Sequence, residues 1–346
     1  MLVSLVDTEA AVGSPAQAER HVRDILRHAL QHEPGRRAVV VADAQCGLAQ
    51  LLASTYRACL PDAVHLRFDE VEQERILLAF AQLAAGDLVV LIQSTSFRLD
   101  AFRIRVELFK RGLKVIEHPH LARIEPGEYA TYVEALAYDP AYYRRVGGEL
   151  KRRIDAASSA VVTSGGGEQL KYASAFEPAK LNIGDYSTLA NVGGQFPIGE
   201  VFTEPTLLEQ VNGRVRIFVF GDTDFCVNVP SAPITLQVER GKVTHVEDST
   251  PAFDRVLAQI RADEPVWVRE LGFGMNRALT ATRRVSDIGT YERMCGIHLS
   301  LGAKHGVFDK PELKRRHTKY HVDVFALTES VKLDDEVVFR AGAWCV

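Results

Sequence analysis

The stretch Arg37-Ala38-Val39-Val40-Val41-Ala42-Asp43 decides the fold. Its apolar residues run without alternation, and a strand of that kind is buried on both faces, as in a parallel sheet covered by helices on each side. Upstream, Ala16 to His32 places Val22, Ile25, Leu26, Ala29 and Leu30 at helical spacing. Downstream the same grammar recurs. Helix 45–58 precedes strand 63–68 (AVHLRF), helix 70–85 precedes strand 87–92 (DLVVLI), and helix 99–111 precedes strand 113–117 (LKVIE). Alternation of this sort predicts an open, mostly parallel α/β sheet with right-handed crossovers. No G-x-G-x-x-G and no G-x-x-x-x-G-K follows any of these strands, so neither a dinucleotide nor an ATP site is supported.

From Ser158 the grammar changes to short, closely spaced strands: VVTS, QLKYA, VRIFVFG, ITLQVE, KVTHVE, WVRELG, IHLSLG, YHVDVFAL and VKLDDEVVF. A helix from Pro140 to Ala156 leads into this region, which has single helices near 252–262 and 288–295. Ser164-Gly165-Gly166-Gly167-Glu168 could cradle a phosphate only if a helix followed. Gln169 to Ser174 reads as a strand, so the glycines are expected to form a hairpin turn. The expected organisation is an α/β domain over 1–157 and a β-rich α+β metal-binding domain over 158–346.

The chain has 346 residues, 47% hydrophobic and 25% charged, which suits a two-domain soluble protein. Its 41 Lys plus Arg against 45 Asp plus Glu give a formal net charge of −4, without the basic footprint of a nucleic-acid binder. No apolar run approaches the roughly 20 residues that cross a bilayer, so no membrane partner is expected. Asp7 and Glu9 stand where a secretion signal would be basic and then apolar, so the expected location is the cytoplasm. Cys46, Cys59, Cys226, Cys295 and Cys345 are odd in number and far apart, and read as buried free thiols.

The chemistry concentrates in the second half. Asn191 to Pro205 (NVGGQFPIGEVFTEP) uses glycines and a proline to bring Glu200 to the start of a short apolar strand. Glu270 ends the strand VWVRE, and Gly272 and Gly274 let backbone pack close behind it. His298 sits in Gly296 to Gly302 (GIHLSLG). In Tyr320-His321-Val322-Asp323-Val324, period-2 alternation puts His321 and Asp323 on one face of a strand, where both can reach one ion. Two glutamates, two histidines and an aspartate form a mixed N/O set suited to zinc, cobalt or manganese, and the carboxylate share fits two bridged ions. Ions about 3.5 to 4 Å apart can activate a bridging water and polarise a carbonyl.

These motifs carry a resemblance. NVGGQFPIGEVFTEP, E-L-G-x-G, G-x-H-L-x-L-G and H-x-D resemble, in order, the signature of the aminopeptidase T and aminopeptidase S metallopeptidases, over roughly residues 190–330. The resemblance implies a two-domain fold, a dinuclear metal centre and a homodimer, with Glu200, Glu270, His298, His321 and Asp323 as metal ligands. The family's further tyrosine ligand is His305 here, which makes His305 a candidate sixth ligand or proton carrier. Val322 stands where those peptidases carry tryptophan, and the first domain is shorter. The chain also resembles, in its length and its H-x-D strand, 2,5-dihydroxypyridine 5,6-dioxygenase of the same superfamily, which uses a single iron. Those relatives have histidine at the Glu270 position and lack counterparts of Glu200 and His298.

Simpler roles compete at each position. Glu200 beside a turn is most often an exposed loop glutamate, Glu270 could pair with Arg269 or Arg277, and His298 could be a hydrogen-bonded core histidine. His317 and His321 have the i, i+4 spacing of a helical zinc pair, but Thr318 replaces the glutamate that H-E-x-x-H requires. Lys314 to Arg316 reads as a solvated loop, and Tyr291 and Glu292 as the start of a helix without a site role. The leading expectation is a hydrolase with two divalent ions, in which Glu200 or Glu270 moves the proton while a small peptide or amide is cleaved. The alternatives are a mononuclear Fe(II) ring-cleaving dioxygenase using His321, Asp323 and Glu270, and a relative recruited to peptide natural-product biosynthesis.

Overall fold

The computed structural model describes residues 14–97, 99, 104–187, 189–303 and 320–346. Two compact units emerge. One comprises Met1–Arg144, Gly184–Ile198 and Val285–Thr290. The other comprises Arg145–Ile183, Gly199–Arg284 and Tyr291–Val346.

The first unit is the parallel sheet. Strands β1 (Ala38–Ala42), β2 (Val64–Arg67), β3 (Leu88–Ile92) and β4 (Lys114–His118) run in the order β2-β1-β3-β4, each pair parallel. Every residue of β1 and β3 is buried, as their unbroken apolar sequence requires. A fifth parallel strand, Gly193–Gln195, pairs with β4 and comes from the first half of the glycine-rich NVGGQFPIGE run. The helix expected over 16–32 is an α-helix over Pro15–Asp24 that continues as a π-turn over Ile25–Ala29. The wider turn, closed by Leu30 N–H donating to Ile25 O at 2.9 Å, leaves Leu26, Ala29 and Leu30 all buried.

The second unit is an antiparallel sheet of 14 strands among the described residues. The triple glycine is a hairpin turn, because Ala160–Ser164 and Glu168–Tyr172 pair antiparallel across it. VKLDDEVVF, read above as one strand, is two. Thr328–Leu333 and Glu336–Arg340 pair antiparallel around Asp334, whose φ of 49° turns the chain back. The helix expected over 288–295 stops at Tyr291. Beyond it the backbone is engaged elsewhere, with Arg293 O accepting from Asn276 N–H at 2.9 Å. The helix near 252–262 spans Pro251–Asp263, with Thr250 capping its start. All five cysteines are free, but none is buried: Cys226 and Cys345 are exposed and the others half-buried. No helix among the described residues is long and apolar enough to cross a membrane.

Candidate metal centre

Four neighbouring strands of the antiparallel sheet carry the centre. In sheet order they are His321–Ala326, Gly296–Gly302, Val268–Gly274 and Glu200–Thr203. Residues opposite one another in antiparallel strands share a face, as do residues two apart in one strand. His321 stands opposite Gly302, Asp323 opposite Ser300, His298 opposite Gly272 and Glu200 opposite Gly274. Positions 298, 300 and 302 alternate together, as do 272 and 274. His321, Asp323, His298 and Glu200 therefore project from one face.

Glu270 joins them through a β-bulge. The register shifts between Val268 and Leu271, so Arg269 and Glu270 together oppose Ser300. The Glu270 N–H freed by the bulge donates to Ser300 Oγ at 3.0 Å. Glycine at 272 is required by the site itself. A Cβ there would lie 1.9 Å from His298 Cε1, so the imidazole occupies the space that a side chain would fill.

His298 Nε2 lies 3.2 Å from Glu200 Oε1 and 3.5 Å from Glu270 Oε1, and one donor atom from each of the three residues falls within 4.8 Å of the others. Ligands about 2.0–2.2 Å from a tetrahedral ion stand about 3.3 Å apart, so the spacing fits a shared cation. On the neighbouring strand His321 Nε2 lies 3.2 Å from Asp323 Oδ1, while His321 Nδ1 faces Ala303 O at 3.1 Å. That second contact fixes the ring and leaves Nε2 for the centre. Glu200, Glu270, His298 and Asp323 are all buried. Yet both ring nitrogens of His298, Glu270 Oε2 and Asp323 Oδ1 make no hydrogen bond. Buried polar atoms are normally well paired, and His298 Nε2, Glu270 Oε2 and Asp323 Oδ1, which have at most the loose ionic contacts just described, suit a cation-binding group.

The electrostatics agree. Burial alone would raise the Glu200 carboxyl, but Arg293 and His298 hold it below the usual carboxylate range. Burial likewise opposes charge on His298, yet Glu200 and Glu270 lift it well above an ordinary histidine. His321, also opposed by burial, is raised to about 10, chiefly by Asp323. Asp323, despite burial, is lowered to about 2, chiefly by His321. The carboxylates thus favour protonated imidazoles. A divalent ion would displace those protons.

The sheet thus assembles Glu200, Glu270, His298, His321 and Asp323, all five of the ligand candidates that fall on described residues. His305, His317 and Lys314 to Arg316 lie outside the described residues. Arg269, weighed above as an ion-pair partner for Glu270, turns instead to Glu264 at 3.3 Å and Glu204 at 3.8 Å. Sequence reasoning missed Glu292 and Arg293. Arg293 Nη2 lies 3.8 Å from Glu200 Oε2, and its Nη1 bonds Glu292. Burial, against Arg293 and with Asp323 and Glu200 close by, holds the Glu292 carboxyl well above its ordinary range, and Glu292 is within hydrogen-bonding reach of Asp323. The available signal was a charged pair inside the otherwise apolar run before His298. Glu292 and His321 are the open members of the group, with side chains 27% and 30% exposed.

Four buried side chains able to ligate a metal, with half-buried His321 beside them, share one face of the antiparallel sheet, and the Glu200, Glu270 and His298 group could hold a metal ion. The family model described as 2,5-dihydroxypyridine 5,6-dioxygenase matches residues 27–346, and the chain belongs to that family. Of the two families resembled above, the chain thus belongs to the one named second and not, as first expected, to the aminopeptidases. Among solved structures, the 2,5-dihydroxypyridine dioxygenase of Pseudomonas putida KT2440 is similar, with TM-score 0.65, 17% identity, and 96% of this chain and 97% of that one covered. Wild-type AmpT of Thermus thermophilus is also similar, with TM-score 0.59, 15% identity, and 96% and 99% covered. At these identities both likenesses speak to the fold, which is the mixed α/β architecture expected above. No protein with a curated description matches the sequence.

Proposed function

We propose that this chain is a metal-dependent dioxygenase that opens the ring of a small hydroxylated N-heterocycle. The carrying observation is the family match across residues 27–346. The donor chemistry is compatible with it: His321 and Asp323 lie 3.2 Å apart on one strand and Glu270 projects from the same sheet face, and mixed imidazole and carboxylate donors suit divalent iron. Bound iron would supply the one-electron chemistry by which dioxygen reacts with a closed-shell ring, both oxygen atoms ending in the opened product. His321 and Asp323, with Glu270, would hold that ion. Glu292, partly open and with its carboxyl held well above the ordinary range by burial, would keep a proton beside Asp323. Phe325, whose ring centroid lies 5.7 Å from that of His298, would supply an apolar wall against water.

A second reading, the dinuclear hydrolase, has one specific observation in its favour. The Glu200, Glu270 and His298 group and the His321 and Asp323 pair are two donor sets, enough for two ions whose Lewis acidity would serve amide hydrolysis. One experiment separates them. Protein purified anaerobically is assayed for metal content, for oxygen uptake with 2,5-dihydroxypyridine and for release of p-nitroaniline from Leu-p-nitroanilide with added cobalt. One iron per chain with oxygen uptake is expected. Two ions per chain with peptide cleavage and no oxygen uptake would replace this reading with the hydrolase.

A further inference from the structure

The mechanism above leaves unused a buried charge cluster immediately behind the centre. Arg269 is 4% exposed and Glu204 1%, and Glu264 lies at the C-terminal end of the Pro251–Asp263 helix. Arg269 Nη2 reaches Glu264 Oε2 at 3.3 Å, and Nη1 lies 3.8 Å from Glu204 Oε1. Burying such a triad costs desolvation that apolar residues of similar volume would avoid, so core packing alone does not account for it. Its third contact is different in kind. Arg269 Nε donates to the Gly302 carbonyl at 2.5 Å.

The peptide plane between Gly302 and Ala303 is thereby clamped at both ends. Its carbonyl accepts from Arg269, and its N–H donates to Tyr320 O at 2.7 Å. Gly302 itself has φ of 90°, a conformation that a side chain would strain. The next carbonyl along, Ala303 O, is the one that faces His321 Nδ1 at 3.1 Å. Arg269 occupies the same bulge as Glu270, so a single irregularity in the sheet aims one side chain into the centre and its neighbour at the turn behind it.

We infer that Arg269 is a positioning residue of the centre: held by Glu264 and Glu204, it fixes the Gly302–Ala303 turn and through the Ala303 carbonyl sets the orientation of the His321 ring. This rests on reading the centre as a metal site. Lysine would keep the charge but lose the planar fork that reaches a carboxylate and a carbonyl together.

The test titrates cobalt(II) into metal-free, full-length wild type, R269K and E264Q, reading affinity and the d–d absorption spectrum, with thermal melting of each metal-free protein as the folding control. R269K is expected to melt cooperatively, to bind cobalt about 10- to 100-fold more weakly, and to show a shifted spectrum, the usual loss when a partner behind a ligating histidine is removed. E264Q, which loosens the guanidinium without leaving a new charge, should shift both readouts less and in the same direction. A folded R269K with wild-type affinity and spectrum overturns the inference while leaving the metal site intact. Should R269K fail to fold, an E264Q protein unchanged in both readouts overturns it instead. A wild type that binds no cobalt removes the metal-site reading and the inference with it.

Discussion

Each unit buries a histidine completely, and the two are handled in opposite ways. His118, at the end of β4, has both nitrogens engaged: Nε2 lies 2.8 Å from Tyr56 Oη and Nδ1 2.9 Å from Tyr132 Oη. Burial pushes it down to about 3, so it is neutral at any ordinary pH. His298 is equally buried, bonds through neither nitrogen, and is lifted by the carboxylates around it. Asp43 repeats the first pattern, accepting from Ser94 N–H at 2.8 Å and from Ser94 Oγ. Glu270 Oε2 and Asp323 Oδ1 repeat the second. A satisfied buried polar group is structure, whereas several unsatisfied ones that converge mark a place built for something the protein chain does not supply.

Breaking the two histidines should give opposite phenotypes. His298→Ala is expected to weaken metal binding by more than about 100-fold, beyond the loss usual for an outer partner, and to abolish turnover; elemental analysis and steady-state kinetics check this. A His298→Ala protein that keeps its metal would place the centre elsewhere. The metal-free protein should also be sensitive to pH on the side of the second unit. His321, raised to about 10, contributes stability that is complete below its unfolded value of about 6.5 and is lost as pH climbs through 10. Asp323, lowered to about 2, contributes stability that is present above about 3.9 and is lost as pH falls through 2. Denaturant melts should therefore show a maximum between about pH 4 and 6.5 that metal loading flattens on the alkaline side.

His118→Phe is expected to leave metal content unchanged and to cost about 1–3 kcal/mol in a urea melt, because the buried Tyr56 hydroxyl loses its partner. Loss of metal in that variant would end the distinction drawn between the two histidines. The smallest effect belongs to Glu292→Gln. Since the carboxyl is already biased toward its neutral form, metal affinity should move by less than about tenfold by calorimetric titration.

The parallel sheet was legible because burial on both faces writes itself into sequence as unbroken apolar runs, and β1 and β3 fall inside the stretches read as strands. The pairing of His321 with Asp323 was legible for the same kind of reason, since period-2 alternation is a local property. The glycines of E-L-G-x-G were recognised as sites of close approach, but what approaches was not. His298 over Gly272 and the Met294 carbonyl 2.0 Å from a Cβ at Gly274 come from remote segments. The bulge at Arg269 and Glu270 was invisible, because a one-residue register shift depends on the partner strand. Glu292 was passed over as the start of a helix, since nothing local shows that a charged side chain beyond a four-residue helix will meet Asp323.

Sequence alone determined the element types, the donor chemistry and which residues could ligate, because hydropathy periods and side-chain functional groups are properties of short segments. Tertiary structure alone decided that four strands lie side by side in the register that puts those donors on one face, which of their atoms make no hydrogen bond, and that Glu292 and Arg293 gather around them while Arg269 turns to Glu264 and the Gly302 carbonyl. Register and burial are set by contacts between residues far apart in the chain, and no window of sequence contains both partners of such a contact.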